Sequence, residues 1–113
     1  MSKQLNNKEI INFIDVIIPI AVPKLLSYHL KVGMRLNIGQ RVLVNVGRKK
    51  QYSAIVYKVH QQKPSYKTKE VLEVLDNEPI VNFKQLELWA WISRYYMTTL
   101  GEVMKAGLPN SLK

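Results

Sequence analysis

Residues 41–60, RVLVNVGRKKQYSAIVYKVH, decide the fold of this 113-residue chain. The alternating valines of the first six residues favour a β-strand with one apolar face, and Tyr52–His60 alternates in the same way. Gly47 ends the first run, and three cations follow it. The pattern predicts a β-hairpin with a basic tip formed by Arg48, Lys49 and Lys50.

The flanking sequence predicts further strands on both sides of the hairpin. Phe13–Ile18 is rich in β-branched and aromatic residues and ends at Pro19, and we expect Leu25–Leu30 to pair with it. Downstream, the polar loop Gln61–Lys67 leads to Glu70–Leu75, whose alternation favours a strand over a helix. These segments predict a small antiparallel sheet.

The last third of the chain carries two helix starts. Asn82 and Gln85 have the spacing of a capping box, and Thr99 and Glu102 repeat it. The second helix is expected over Leu100–Ala106, where a glycine and a proline follow. The predicted apolar face of the first helix consists of Phe83, Leu86, Trp89 or Ala90, Ile92 or Ser93, and Tyr96.

Together these elements predict one α+β domain over residues 1–113. Strands at about 10–76 form a small antiparallel, barrel-like sheet, and a helical pair at about 82–107 covers one end or face of it. No internal repeat or linker composition divides the chain.

Four aromatic residues on the first predicted helix have two interpretations. Trp89, Trp91, Tyr95 and Tyr96 are spaced for core packing, which is the interpretation that helical periodicity favours. The alternative is a platform on which nucleic-acid bases stack.

The positive charge is concentrated in the middle of the chain. The formal net charge is +9, yet residues 16–69 hold eleven Lys and Arg and no carboxylate. Such a segment attracts phosphate backbones through counterion release, so a nucleic acid is the expected partner. A solvated cationic face is the plainer alternative. An anionic membrane is disfavoured because the cations do not lie on an amphipathic helix.

The inventory of reactive groups argues against an enzyme. Cysteine is absent, which excludes disulfides and thiolate zinc sites. Ser27 and His29 are the nucleophile-and-base pair closest in sequence, but neighbours on one strand face do not converge as a catalytic triad does. No P-loop pattern is present. We therefore expect no cofactor, no metal and no catalytic residue.

The apolar stretch Ile10–Val22 is too short and too interrupted to span a bilayer, and Asp15 and Pro19 also make it a poor signal peptide. A cytoplasmic location is expected.

Three blocks of sequence resemble a known family. They are IDVIIPIAVPKLLSYHL at 14–30, VGMRLNIGQRVLVNVGRKKQYSAIVYKV at 32–59 and EVLDNEPIVNFKQLELWAWISRYYMTTLGEVMKAGLP at 73–109. The chain resembles the N-terminal domain of primosomal protein N-prime, the PriA replication-restart helicases of bacteria. The most specific carriers are Asp76 to Pro79, Tyr95-Tyr96 and Leu100 to Val103.

The resemblance implies a domain that captures the 3′-hydroxyl end of the nascent leading strand at arrested forks, without base specificity. It implies forked DNA as the ligand, and winged-helix and helicase domains elsewhere in the parent protein. ATP and zinc would be bound by those other domains, so this segment would bind only. Single-strand-binding protein and other primosome proteins are further partners that the family suggests.

The resemblance also assigns a pocket. Its first part falls on Leu26, Ser27 and Tyr28, where Leu26 replaces a family phenylalanine and Ser27 replaces an aspartate of some members. The serine hydroxyl can still hydrogen-bond a base edge. Gly47 matches a glycine that lets the backbone approach the terminal nucleotide, and Lys69 matches a pocket lysine. Arg48, Lys49 and Lys50 are expected to contact phosphates nearby.

Two other functions compete with end capture. The basic segment can dock an acidic primosome partner or single-strand-binding protein, or the sheet can be a general binder of single strands with an OB-like form. Dependence on a 3′ end separates these alternatives.

Overall fold

The computed structural model describes residues 12–109, which form six strands and two helices. The elements are β1 (Phe13–Ile17), β2 (Leu26–His29), β3 (Arg41–Val46), β4 (Lys50–His60), β5 (Lys69–Glu70), β6 (Glu73–Val74), α1 (Phe83–Tyr96) and α2 (Leu100–Gly107). The predicted α+β class, a curled sheet followed by a helical pair, is confirmed. Residues 10 and 11, where the predicted strand region starts, lie outside the described residues, as do 1–9 and 110–113.

The sheet curls because the short segment between β5 and β6 is hydrogen-bonded to β2 on one side and to β3 on the other. The strand order is β5-β2-β1-β4-β3-β6, so the two edge strands are consecutive in sequence. The Val71 N–H donates to the carbonyl of His29 in β2 at 3.0 Å, whereas the Leu72 N–H donates to the carbonyl of Leu43 in β3 at 2.9 Å. Adjacent residues thus bind opposite edges and bend the sheet into a half-barrel. We call residues 69–74 the seam.

The prediction of one continuous strand over Glu70–Leu75 was wrong. The segment divides into two strands of two residues each, and β5 runs parallel to β2 while the other pairs are antiparallel. Val71 is buried inside the curl at the point where the chain passes from one edge to the other. Burying this valine and closing both edges outweighs the alternation that suggested one strand.

β4 separates two hydrophobic cores because both of its faces are buried. Ala54 and Val56 lie inside the curl with the valines of β3, whereas Ile55 packs outside it under the helices. A bulge between β1 and β4, where the register shifts between Asp15 and Val16, increases the local bend. The sheet is therefore the shared wall of an inner and an outer core.

Both predicted capping boxes are present. The Asn82 side chain accepts from the Gln85 N–H at 2.8 Å, and the Gln85 side chain accepts from the Asn82 N–H at 3.1 Å. Thr99 and Glu102 make the same exchange at the start of α2. Hydrogen bonds from the side chains of Thr98 and Thr99 lower the pKa of Glu102. Local sequence thus fixes where each helix begins.

α2 docks on the sheet through a close backbone contact at Gly101. A Cβ at this position would lie 2.1 Å from the Ile20 carbonyl oxygen and 2.2 Å from that of Ile18. No side chain fits there without moving the helix. Beyond this contact, Val103 and Met104 are buried in the outer core.

α1 buries a narrower face than the periodicity predicted. Leu86 and Trp89 are buried as expected, but Phe83 is 62% exposed and Tyr96 68% exposed. The core interpretation of Trp91 and Tyr95 was also wrong, because both rings lie on the solvent side of the helix. The outer core is too small to cover more than about one stripe of the helix.

Candidate nucleic-acid interface

A small cleft of about 160 Å³ opens beside the seam. Three parts of the chain line it: strand β2, the end of β3 with its turn, and the loop that leads into β5. The lining residues are Leu26, Ser27, Tyr28, Asn45, Val46, Gly47, Tyr66, Lys67, Thr68 and Lys69. None of these is a carboxylate.

Five of the eight predicted site residues line this cleft. Leu26, Ser27, Tyr28, Gly47 and Lys69 come together although up to 43 positions separate them in sequence. The remaining three, Arg48, Lys49 and Lys50, lie outside the cleft at the exposed tip of the β3–β4 hairpin, directly after Gly47. The structure thus places a cationic tip next to the mouth of the cleft.

Lys69 and Gly47 close one side of the cleft. The Lys69 ammonium donates to the carbonyl oxygen of Gly47 across the gap between β5 and the hairpin. Gly47 has φ +70, a left-handed conformation that disfavours residues with a Cβ, and no atom lies within 4 Å of the position that a Cβ would occupy. The backbone at this turn is therefore open to an incoming group.

Tyr28 is the floor of the cleft and is fixed by the fold. Its side chain is 3% exposed, and its hydroxyl donates to the Asn45 carbonyl at 2.6 Å, which links β2 to β3 through the interior of the half-barrel. Burial, with a smaller contribution from Tyr66, raises the pKa of Tyr28 to about 12. The phenol therefore stays neutral and continues to donate its hydrogen bond at physiological pH.

Both the backbone and the side chain of Ser27 are hydrogen-bonded within the protein. Its backbone N–H donates to the Tyr66 hydroxyl at 2.9 Å, and its own hydroxyl donates to the Asp15 carboxylate at 2.6 Å. The same Asp15 oxygen lies 2.9 Å from Nε2 of His60. The donor that was expected to serve a base edge is thus used within the protein. His29 bonds Thr68 instead of Ser27.

Tyr66 and Thr68 are cleft residues that sequence reasoning missed. Both lie in the loop before β5, which has no periodic pattern. The signal that was available is an aromatic residue between lysines, in the segment KPSYKTK at 63–69. Such interleaving of cations and aromatic rings is typical of nucleic-acid contact loops.

Residues 12–109 contain neither a cluster of metal-ligating side chains nor a membrane-spanning helix. Within this range, no three His, Asp or Glu side chains cluster closely enough to hold a metal ion. The helices described there are too short and too polar to cross a membrane.

A carboxylate-free cleft on a curled sheet, beside a cationic hairpin tip, has the charge of a small domain that binds a polyanion such as DNA. Residues 15–109 match the family model of the PriA 3′DNA-binding domain. The chain belongs to this family.

Curated relatives are replication restart proteins PriA from several bacteria. The chain is 29% identical to the protein of Haemophilus influenzae over 101 residues, and this match covers 88% of the chain. It is 33% identical to that of Rickettsia felis and 31% to that of Rickettsia conorii, each over 94 residues and 83% of this chain. The matched region is 14% of the length of each relative.

Proposed function

We propose that the cleft beside the seam captures the 3′-hydroxyl end of the nascent leading strand at an arrested replication fork. The observation that carries the proposal is that Gly47 and Lys69 meet across a cleft with no carboxylate, in a chain of the 3′DNA-binding domain family. The cleft's volume of about 160 Å³ suits one terminal sugar.

The chemistry of the lining explains how an end can be recognised without reading its base. The Gly47 carbonyl oxygen is an acceptor, so a free sugar hydroxyl can donate a hydrogen bond to it, whereas a 3′-phosphate is bulkier and places acceptor oxygens against it. Leu26 and the ring of Tyr66 offer apolar contact that every base can use. Neither group discriminates one base from another.

The cations supply affinity. Lys67 and Lys69 line the cleft, and Arg48, Lys49 and Lys50 lie beside it, so the phosphates that precede the terminal sugar pass along a positive edge. Lys69 exchanges its contact with the Gly47 carbonyl for one with the incoming strand. Phosphate contacts position the strand and carry no sequence information.

The experiment compares two otherwise identical DNA strands, one with a 3′-hydroxyl and one with a 3′-phosphate, in anisotropy titrations at fixed salt. We expect clearly tighter binding of the hydroxyl end. Equal affinity would exclude end capture. A protein that binds neither strand would favour docking of an acidic partner, such as single-strand-binding protein or another primosome component.

The wider role of a parent protein belongs to the same proposal. The relatives are named replication restart proteins. We propose that this domain delivers a fork end to a winged-helix domain and to helicase domains, of which the helicase domains use ATP. Contact with chromosomal DNA requires a cytoplasmic location. The domain's own contribution is binding, and unwinding belongs to other domains.

A further inference from the structure

α1 carries a second apolar face that the outer core does not cover. Leu88, Trp91 and Tyr95 follow one another at helical spacing and are 53%, 51% and 65% exposed. They lie opposite Leu86 and Trp89, which bury the inner face. An exposed apolar face on a helix marks an interaction surface, so the outer side of α1 is a candidate binding site.

The aromatic rings of this outer face form an ordered stack. The rings of Trp91 and Tyr95 lie nearly parallel, with 5.0 Å between centroids and 13° between planes. Tyr96 lies at the border of this face, next to Trp89 and Ile92, and meets Tyr95 edge-on, with 4.9 Å between centroids. The three rings hold one another in place, and Trp91 remains half exposed although Tyr95 covers one side of it. A prearranged and partly exposed pair of parallel rings therefore lies on the outer face of α1.

The charges around the stack suit a nucleic-acid strand. Arg94 lies one helical turn from Trp91 towards the C-terminus. Glu87, the one acidic residue of the helix, lies one turn from Trp91 towards the N-terminus, and Lys84 lies one turn beyond Glu87. Among residues 12–109, neither Arg94 nor Lys84 forms an ion pair. Two cations against one carboxylate thus leave this side of the helix net positive, with Arg94 next to the rings and available to phosphates.

We propose that Trp91, Tyr95 and Tyr96 form a second DNA site, at which unpaired bases of single-stranded DNA stack on the helix. Every base has a π-face, so such a platform binds a strand without sequence preference and without needing an end. Parallel stacking between Trp91 and Tyr95 is the arrangement that a nucleobase extends by adding one more ring. This site is separate from the cleft and does not depend on end capture.

The test uses a circular single-stranded DNA, which has no 3′ end. The chain has two tryptophans, and because Trp89 is buried, quenching of tryptophan fluorescence by the circle reports on Trp91. We expect quenching, and we expect Trp91→Ala and Tyr95→Ala each to weaken binding of the circle about tenfold. Trp91→Phe keeps an aromatic face and should retain most of the affinity.

Two matched variants make the test specific. Leu88→Ala removes apolar surface from the same face without removing a ring, so it should leave binding of the circle unchanged. Lys69→Ala should weaken binding of linear 3′-hydroxyl strands much more than binding of circles, which separates this proposal from end capture. The proposal is overturned if the circle does not bind, or if Trp91→Ala and Tyr95→Ala bind it like wild type. It is also overturned if these variants abolish only a concentration-dependent self-association, which would make the face a protein interface.

Discussion

The sheet half and the helical half of this domain expose surfaces of different chemistry. The sheet half carries the cationic cleft, whose walls come from three distant parts of the chain and include much backbone. The helical half carries a ring stack from one continuous helix, with few charges. Under the two proposals above, the sheet attracts and orients a strand through phosphates and backbone, whereas the helix contacts mainly the bases.

The largest expected loss of stability comes from one of the two leucines of α1, which lie on opposite faces of the helix. Leu86→Ala removes a side chain that is 2% exposed in the outer core, so we expect a loss of about 2 to 5 kcal/mol in the free energy of unfolding. Leu88→Ala, on the outer face of the same helix, should cost less than about 0.5 kcal/mol. Urea denaturation monitored by circular dichroism measures both. Similar losses for the two variants would contradict the division of α1 into an inner and an outer face.

Gly101→Ala tests how firmly the helical half is held against the sheet. The added Cβ meets the carbonyl oxygens of Ile18 and Ile20, so α2 must shift, and we expect a loss of about 1 to 3 kcal/mol. Lys105→Ala on the exposed side of α2 is the control and should be close to neutral. A thermal melt compares the two. A Gly101→Ala protein as stable as wild type would mean that α2 is not closely seated.

Lys69→Ala tests the sheet half. The substitution removes one charge-assisted contact from the cleft, so binding of a 3′-hydroxyl strand should weaken by about 1 to 2 kcal/mol. Lys105→Ala leaves the cleft intact and should bind normally. Isothermal titration with the same oligonucleotide measures both proteins. If Lys69→Ala binds as tightly as wild type, Lys69 has no part in the cleft's function.

Tyr28 gives the smallest effect, and it appears as a pH dependence. Its pKa is raised from 10.0 to about 12 in the folded protein, so the folded state holds this proton more tightly than the unfolded state does. That contribution to stability is complete below pH 10 and is lost as the pH rises from 10 towards 12. Tyr28→Phe should cost about 1 kcal/mol at neutral pH through the lost bond to Asn45, and its stability should fall less steeply above pH 10. Denaturation at a series of alkaline pH values measures the slopes, and equal slopes would contradict the raised pKa.

The parts of the fold that depend on local sequence could be predicted. The strands around the hairpin follow from alternation, and both helices begin at capping boxes that four residues specify. The seam could not be predicted, because strands of two residues have no periodicity and their partners lie more than 25 positions away. Helical spacing also gave no way to decide how much of α1 the outer core covers, so Trp91 and Tyr95 were assigned to the wrong side.

The candidate site was predictable only in part, for the same reason. The family resemblance placed Leu26, Gly47 and Lys69, which the structure brings to one cleft. Tyr66 was missed because nothing in a loop indicates which strand it will contact. The Ser27 hydroxyl bonds Asp15 on the neighbouring strand β1, a register that no property of Ser27 itself reveals.

One consequence follows from the double position of Lys69. Its backbone lies opposite Tyr28 in the parallel β2–β5 pair, and its side chain reaches the cleft. The residue that is proposed to contact the ligand therefore also joins β5 to β2 at one side of the half-barrel. Occupying the cleft should slow amide hydrogen exchange along the closure, at Val71 and Leu72, even though neither residue lines the cleft. The proposed hold on a strand and the closure of the curl thus depend on one and the same residue.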